Sequence, residues 1–138
     1  MTAGLVLDAS VTAAWCFEDE ADHATDALLQ RVRDEGGLVP ALWHWEVANV
    51  MTSAVRKKRL SADAAALRLR VLRGLPIATD REAQARAWRE AFALAQSHAL
   101  SAYDAAYLEL AQREGLDLAT KDAALRRAAA ALGVKVVP

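Results

Sequence analysis

Disulfide chemistry is the first thing this sequence lacks. Cys16 is the one cysteine among 138 residues, so no disulfide can form within the chain, which fits a reducing cytoplasm. The N-terminal stretch MTAGLVLDASV has no basic region before its short apolar run, and no secretory signal is predicted. No segment approaches the roughly 18 apolar residues of a membrane span. We therefore expect a cytoplasmic protein with no membrane partner.

An excess of either charge is also missing. The chain has 17 Lys and Arg against 18 Asp and Glu, for a formal net charge of −1. Any nucleic-acid binding must therefore depend on a local basic patch. Hydrophobic residues make up 54% and charged residues 25%, a globular composition, and there is no repeat or Pro/Ser-rich linker. We expect one domain spanning 1–138, long enough to bury its own core.

Short apolar segments rich in Val and Leu predict the strands. Four are expected: Leu5–Leu7, Leu38–Val39, Leu116–Ala119 and Val134–Val137. A weaker segment, Leu75–Ala78, is either a strand or a connector. Because helical patterns separate these segments, we expect an α/β fold with a mostly parallel sheet covered on both faces.

Apolar residues at helical spacing, with caps and glycine stops, predict the helices. A short apolar helix start, ASVTAAW, follows Asp8. The longer predicted helices are Asp19–Asp34, Leu42–Arg59, one capped by Ser61 and ended by Gly74 and Pro76, Asp80–His98, Ser101–Glu114 and Asp122–Leu132.

Four acidic residues stand at positions that apolar neighbours would bury. Asp8 closes the strand LVLD, and Asp122 follows the strand LDLA at a helix start. Asp104 heads the apolar stripe of its helix, and Glu46 lies within the helix WHWEVANVM. Burying a carboxylate is costly without a compensating charge, and no basic partners match these four. A bound cation is therefore expected near the carboxyl ends of the strands, where open α/β sheets bind ligands.

Each of the four also has a purely structural interpretation. Asp8 and Asp122 are both suited to cap the helices that follow them. Ser101 and Asp104 match a capping box with Asp in the usual Glu position. Glu46 could be a solvated surface residue, although capping cannot explain it. Position alone leaves these alternatives open.

The segments LVLDASV, ALWHWEVANVM, LSAYDAAYLELA and LATKDAAL resemble, in order and spacing, the PIN-domain nucleases. The likeness is greatest to the VapC-type toxins of bacterial toxin–antitoxin pairs, and it covers essentially the whole chain. It implies a three-layer α/β/α sandwich. It also implies that Asp8, Glu46, Asp104 and Asp122 are the catalytic and metal-binding set.

The resemblance implies a Mg²⁺- or Mn²⁺-dependent ribonuclease, and the residue types suit that chemistry. Hard divalent cations prefer carboxylate oxygens and water, whereas the histidines and Cys16 lack zinc-site spacing. One metal or two remain alternatives. Ser10 and Thr120 lie beside the acidic positions and could orient a water or phosphate, or act only as caps and turns. Asn49 continues the Glu46 face of its helix.

An RNA substrate requires positive charge. The densest basic run includes Arg56, Lys57 and Arg59, although it could equally stabilise a helix C-terminus. A second group is Lys121, Arg126 and Arg127. The four tryptophans are expected in the core or an interface, and we do not predict them as RNA contacts. The family implies a small antitoxin as partner and a homodimer.

Two other functional classes compete with this interpretation. A receiver-like phosphoacceptor needs an acidic pair after the first strand, and a haloacid-dehalogenase-type phosphatase needs an Asp at position 10, which is Ser10. A PIN-like binding module without activity is the other class, and the intact acidic set argues against it.

Overall fold

The computed structural model describes residues 3–138. Five parallel strands form one sheet in the order β3-β2-β1-β4-β5: β1 (Leu5–Leu7), β2 (Gly37–Val39), β3 (Ile77–Thr79), β4 (Asp117–Ala119) and β5 (Val136–Val137). The register places Leu7 beside Ala119. The chain forms the predicted α/β/α sandwich. The uncertain segment at positions 75–78 overlaps strand β3, which covers Ile77–Thr79, and its first two residues precede the strand.

The helices are α1 (Ala9–Cys16), α2 (His23–Glu35), α3 (Leu42–Arg56), α4 (Ala62–Arg73), α5 (Ala83–Arg86), α6 (Phe92–His98), α7 (Ala102–Glu114) and α8 (Ala123–Ala131). A 3₁₀ turn covers Glu18–Glu20, and a π-helical segment, Ala87–Ala91, joins α5 to α6. Within residues 3–138 no helix is both long and apolar enough to cross a membrane.

The core forms where strands with fully buried side chains meet α7. Leu5, Val6 and Leu7 are completely buried, as a central strand covered on both faces requires. Helix α7 packs against β1 and β4 and contributes the buried Leu108 and Leu110. Helix α1 packs against both α2 and α3, and α3 packs against α4. This packing fixes the ends of β1, β4, α3 and α7 relative to one another.

Three predicted helix boundaries were wrong. Helix α2 begins at His23 rather than Asp19, because Asp22 and Thr25 form a reciprocal capping box. Helix α3 ends at Arg56 rather than Arg59, since Lys58 takes a left-handed conformation with φ of 61°. The predicted helix over 80–98 begins only at Ala83 and passes through the π-helical segment.

Candidate metal and catalytic site

The candidate site lies where the connections of the sheet change direction. From β1 the chain proceeds to β2 on one side, whereas β4 leads to β5 on the other. The two central strands end together, and the Asp8 backbone N–H donates to the Ala119 carbonyl at 3.1 Å. Such a switch point leaves a crevice beyond the carboxyl ends of the strands, where α/β proteins bind ligands. Asp8 and Asp122 follow these two strand ends.

Asp8 is a buried helix cap whose carboxylate is crowded with donors. Its Oδ1 accepts the Ser10 N–H at 3.0 Å, the Ser10 hydroxyl at 2.6 Å and the Val11 N–H at 3.3 Å. Its Oδ2 accepts the Thr120 hydroxyl. Burial nevertheless raises the pKa of Asp8, and these hydrogen bonds only oppose that effect. The capping interpretation is thus correct for Asp8, without excluding a ligand at Oδ2.

The Ser10 and Thr120 hydroxyls link the loop after β1 to the loop after β4. Each hydroxyl donates a hydrogen bond to Asp8. Each also accepts a hydrogen bond from a backbone N–H in the loop after β4. Ser10 Oγ accepts from Lys121 N at 2.9 Å, and Thr120 Oγ1 accepts from Asp122 N at 3.0 Å. Both predicted supporting residues therefore lie at Asp8 and hold the two loops together.

Asp122 caps helix α8 with one carboxylate oxygen, and its other oxygen is available to a ligand. Its Oδ2 accepts the Leu125 N–H at 2.9 Å at the start of α8. Within the described part of the chain, its Oδ1 accepts no hydrogen bond. Lys121, the adjacent cation, extends toward Asp22 at 3.8 Å instead of toward Asp122. The neighbouring lysine therefore does not neutralise this carboxylate.

Glu46 is held by a tyrosine that sequence reasoning did not assign to the site. The buried Tyr107 hydroxyl, on α7, donates to Glu46 Oε1 on α3 at 2.5 Å. Burial raises the pKa of Glu46, the Tyr107 hydrogen bond opposes this rise, and the charges of Asp104 and Asp8 add to it. Tyr107 lies one turn after Asp104 on the same helix face, which was the available signal.

Asp104 is the third residue of α7 and does not cap it. Ser101 is the N-cap, and its hydroxyl accepts the Asp104 N–H at 3.0 Å. The reciprocal half of the predicted capping box is missing, since no backbone N–H among residues 3–138 donates to the Asp104 carboxylate. Burial raises the pKa of Asp104, and the charges of Asp122 and Asp8 raise it further.

Together these four residues, which we call the open cluster (Asp8, Glu46, Asp104 and Asp122), form an acidic group without internal compensation. In the part of the chain that the structure describes, none of them lies within 4 Å of a Lys, Arg or His nitrogen. Their oxygens are the ligands that Mg²⁺ and Mn²⁺ prefer. Burial raises the pKa values of Asp8, Glu46 and Asp104, and neighbouring carboxylates raise those of Glu46 and Asp104 further.

A metal ion held directly by several protein ligands needs those ligands closer together than an ion held partly through water. Among residues 3–138, no three His, Cys, Asp or Glu side chains lie close enough together to hold a metal. Mg²⁺ keeps several waters when bound to protein and needs only one or two carboxylates in direct contact. The donor set therefore fits a hydrated divalent cation rather than a fully enclosed one.

The predicted RNA-binding residues lie at the opposite end of α3 from Glu46. Arg56 and Lys57 are exposed, and ten residues of helix place Arg56 about 15 Å from Glu46 along the axis. Asn49 is exposed one turn beyond Glu46. Among residues 3–138, none of these three side chains forms a hydrogen bond or ion pair with the open cluster.

Arg59, the third predicted RNA contact, is already engaged. It donates to Asp19 Oδ1 at 2.9 Å and to Glu20 Oε2 at 3.3 Å, and its guanidinium lies 4.1 Å from the centre of the Phe17 ring. These contacts join the end of α3 to the 3₁₀ turn. Arg59 thus has a structural partner that the sequence did not indicate.

A second acidic group, which sequence reasoning missed, lies on the far part of α7. Arg113 donates to Asp80 at 2.8 Å and to Glu109 at 2.9 Å, and all three side chains are largely buried. Hydrogen bonding to Arg113 lowers the pKa of Asp80. The spacing of Glu109 and Arg113, four residues apart, was a signal for the pair. We call Asp80, Glu109 and Arg113 the filled cluster.

Comparison with known proteins places these observations in a family. Residues 5–131 match the sequence profile of the PIN domain. Over 118 residues the chain is 33% identical to Ribonuclease VapC3 of Pyrobaculum aerophilum, covering 86% of this chain and 88% of that protein.

Two solved structures are similar in fold. PAE2754 from Pyrobaculum aerophilum has a TM-score of 0.70 and 25% identity, over 93% of this chain and 87% of that one. FitAcB from Neisseria gonorrhoeae has a TM-score of 0.63 and 19% identity, over 97% and 96%, which bears on the fold alone. With a family match over nearly its whole length, the chain belongs to the PIN domain family.

Proposed function

We propose that this protein is a metal-dependent endoribonuclease and the toxin of a toxin–antitoxin pair, acting as a single domain over 1–138. The observation that carries the proposal is the open cluster, an uncompensated set of carboxylates at the switch point of a parallel sheet. The 33% identity to Ribonuclease VapC3 supports RNA as the substrate.

Asp8, Glu46 and Asp104 would hold the cation, directly or through water, and Asp122 would complete the site or hold a second ion. A divalent cation held there supplies a water of lowered pKa and stabilises charge on the phosphodiester. Tyr107 fixes the orientation of Glu46 through the hydrogen bond to Oε1 and leaves Oε2 available.

The hydrogen bonds around Asp8 limit how it can bind. Its Oδ1 already accepts three donors, so its lone pairs are occupied. The other oxygen, Oδ2, accepts a single donor among residues 3–138, the Thr120 hydroxyl, and has a lone pair left. We therefore assign Oδ2 as the oxygen through which Asp8 acts, with Ser10 and Thr120 as positioning residues.

The partners follow from surface residues outside the site. Arg56 and Lys57 are exposed cations that suit an RNA backbone, and Arg59 adds charge while anchored to Asp19. Exposed apolar side chains on α4, among them Leu67 and Val71, suit a small antitoxin protein. The exposed Trp88 and Phe92 lie one turn apart and suit a homodimer in the cytoplasm.

Thermal melts of the wild type and Asp104→Ala, each in chelator and in Mn²⁺, test the metal site without a known RNA. In chelator we expect Asp104→Ala to match or exceed the wild-type Tm, because one of several repelling carboxylates is removed. Mn²⁺ should raise the Tm of the wild type by selective binding to the folded state, and should raise that of the variant much less.

Ser101→Ala is the matched control, since Ser101 is the actual N-cap of the same helix. It should lose about 1 kcal/mol of stability equally with and without Mn²⁺. If Asp104→Ala behaves like Ser101→Ala, and the wild type gives no Mn²⁺ response, the metal site is refuted. The absence of three closely grouped ligands among residues 3–138 would then favour a PIN-like binding module without activity.

A further inference from the structure

Helices α3 and α7, which carry Glu46 and Asp104 of the open cluster, line a largely apolar groove of about 610 Å³. The start of α3 and the first two turns of α7 line it, together with α5, the π-helical segment and the loop after β3. Trp45 contributes from α3 and Tyr103 from α7. Each aromatic residue directly precedes a carboxylate of the open cluster in sequence, Glu46 and Asp104 respectively.

Both aromatic side chains are unusually exposed for their size. Trp45 is 78% exposed and Tyr103 is 66% exposed, whereas Trp43, two residues earlier, is buried. Large aromatics in a single domain normally bury most of their surface, and exposed apolar surface beside a cleft indicates a binding site. The floor of the groove is formed by small or apolar residues, including Pro40, Leu42 and Ala106.

The charges around the groove favour a flat, neutral group with an anion attached. Asp80 and Glu109 line it, but both carboxylates are ion-paired, with Arg113 at 2.8 and 2.9 Å, and Arg86 lies 3.9 Å from Glu109. Arg81 and Gln84 also line it, and Arg81 has no ion pair among residues 3–138. The groove therefore combines two aromatic rings, an apolar floor and an available cation on the two helices that carry Glu46 and Asp104.

We propose that this groove is a nucleobase-binding subsite, in which unpaired RNA bases stack on Trp45 and Tyr103. The inference rests on the proposed function, because it takes the substrate of the neighbouring carboxylates to be RNA. Sequence-tolerant stacking on exposed aromatics is how proteins hold single strands, and paired bases cannot present their faces. The subsite thus selects single-stranded RNA, and Arg81 contacts a phosphate of the bound segment.

Equilibrium binding in chelator tests the subsite without any cleavage. The probe is a fluorescently labelled single-stranded RNA of eight nucleotides with mixed sequence, followed by anisotropy. Trp45→Ala and Tyr103→Ala should each bind it about 5- to 100-fold more weakly than the wild type, as expected for one lost base–aromatic stack. Trp45→Phe should retain most of the affinity because it keeps an aromatic face.

Two matched controls separate stacking from other effects. Trp88→Ala removes an even more exposed tryptophan that does not line the groove, and it should leave the affinity unchanged. An oligomer with the same backbone and abasic sites keeps the phosphates but not the bases, and it should bind the wild type and Trp45→Ala equally. Thermal melts establish that each variant is folded.

Wild-type affinity in both alanine variants, or equal binding of the abasic and normal oligomers by the wild type, would overturn the proposal. Sedimentation of the same variants separates the main competitor: a dimer lost in Trp45→Ala with RNA affinity retained would assign the groove to a second copy. Cleavage in Mn²⁺ is measured separately. Base-dependent binding without cleavage supports the subsite and contradicts the proposed nuclease activity. Cleavage that these substitutions leave unchanged supports the nuclease activity and contradicts the subsite.

Discussion

The two acidic clusters of this molecule differ in whether the protein supplies a cation to pair with their carboxylates. In the filled cluster, Arg113 lies between Asp80 and Glu109, and its own pKa is raised by their hydrogen bonds. In the open cluster, the charges of Asp8 and Asp104 raise the pKa of Glu46, and no Lys, Arg or His of residues 3–138 forms an ion pair with the four carboxylates. The pKa of Asp80 is lowered, whereas the pKa values of Asp8 and Glu46 are raised.

The difference shows how a structural acidic group can be told from a candidate site. Both groups lie on or beside α7, and both bury carboxylates that their sequence neighbours would not shield. A fold that supplies its own cation has satisfied the charge, so such a group contributes to structure. A fold that supplies none leaves the charge for a ligand, and perturbed carboxylates in a cleft are candidates for function.

The largest expected effect on stability comes from removing the cation of the filled cluster. Arg113→Met should destabilise the protein by about 3 kcal/mol, because Asp80 and Glu109 would remain buried without their partner. Denaturant unfolding measures the loss. Arg59→Met is the control, since Arg59 pairs with exposed carboxylates and should lose at most about 1 kcal/mol. Equal losses in both variants would erase the distinction between the two kinds of ion pair.

A smaller effect is expected from loosening the open cluster. Tyr107→Phe removes the hydroxyl that donates to Glu46 and should reduce RNA cleavage about 10- to 100-fold, the usual effect of losing a group that orients a metal ligand. That hydrogen bond favours ionised Glu46, so its loss should raise the pKa of Glu46. The acidic limb of the pH–rate profile should therefore move to higher pH.

Thr52→Val is the matched control for this substitution, because it removes an exposed hydroxyl on the helix that carries Glu46, where it donates to the Ala48 carbonyl. It should change neither the rate nor the profile. A Tyr107→Phe enzyme with reduced activity but an unmoved acidic limb would mean that the tyrosine supports packing and does not act through Glu46.

The smallest effect is a difference in how the two clusters respond to pH in chelator. Burial, and then the charges of Asp122 and Asp8, raise the pKa of Asp104 in the folded state. Ionised Asp104 therefore destabilises the fold above the raised pKa, and this penalty is absent below the ordinary carboxyl range. Asp104→Asn should thus melt a few degrees above the wild type at neutral pH, with the gap closing on acidification.

The filled cluster should respond with the opposite sign. Folding lowers the pKa of Asp80 from its usual 3.8, so its stabilisation is present above that value and is lost only as the pH falls below it. The deficit of Arg113→Met should therefore shrink at low pH. Tm curves for both variants check this, and parallel curves from pH 3 to 7.5 would contradict the assigned pKa directions.

Much of the fold could be predicted because its signals are local. The apolar run Leu5–Leu7 and the glycine after α7, with φ of 65°, mark elements through their own residues. The errors arose where longer-range or reciprocal contacts decided the boundary. The pattern could not show that Asp80 leaves its predicted helix to meet Arg113, a residue 33 positions away.

In the candidate site, too, the residues with local signals were predicted, whereas those that depend on packing were missed. Four carboxylates and the two hydroxyls beside them were predicted from sequence and family resemblance, and the structure brings Ser10 and Thr120 to Asp8. Tyr107 and the Trp45–Tyr103 groove were missed. The sequence shows two tyrosines on one helix but not which of them is buried. Only the packing of the helix shows that one is buried and the other exposed.

The sequence by itself determined the elements, their order and the oxygen-donor chemistry available at the strand ends, because propensity, caps and side-chain type belong to individual residues. Only the tertiary structure decided which carboxylates receive a cation from the protein, because charge compensation depends on distances between residues far apart in the chain. Arg113 reaches Asp80 and Glu109, whereas in the part of the chain described here no cation reaches Glu46 or Asp104.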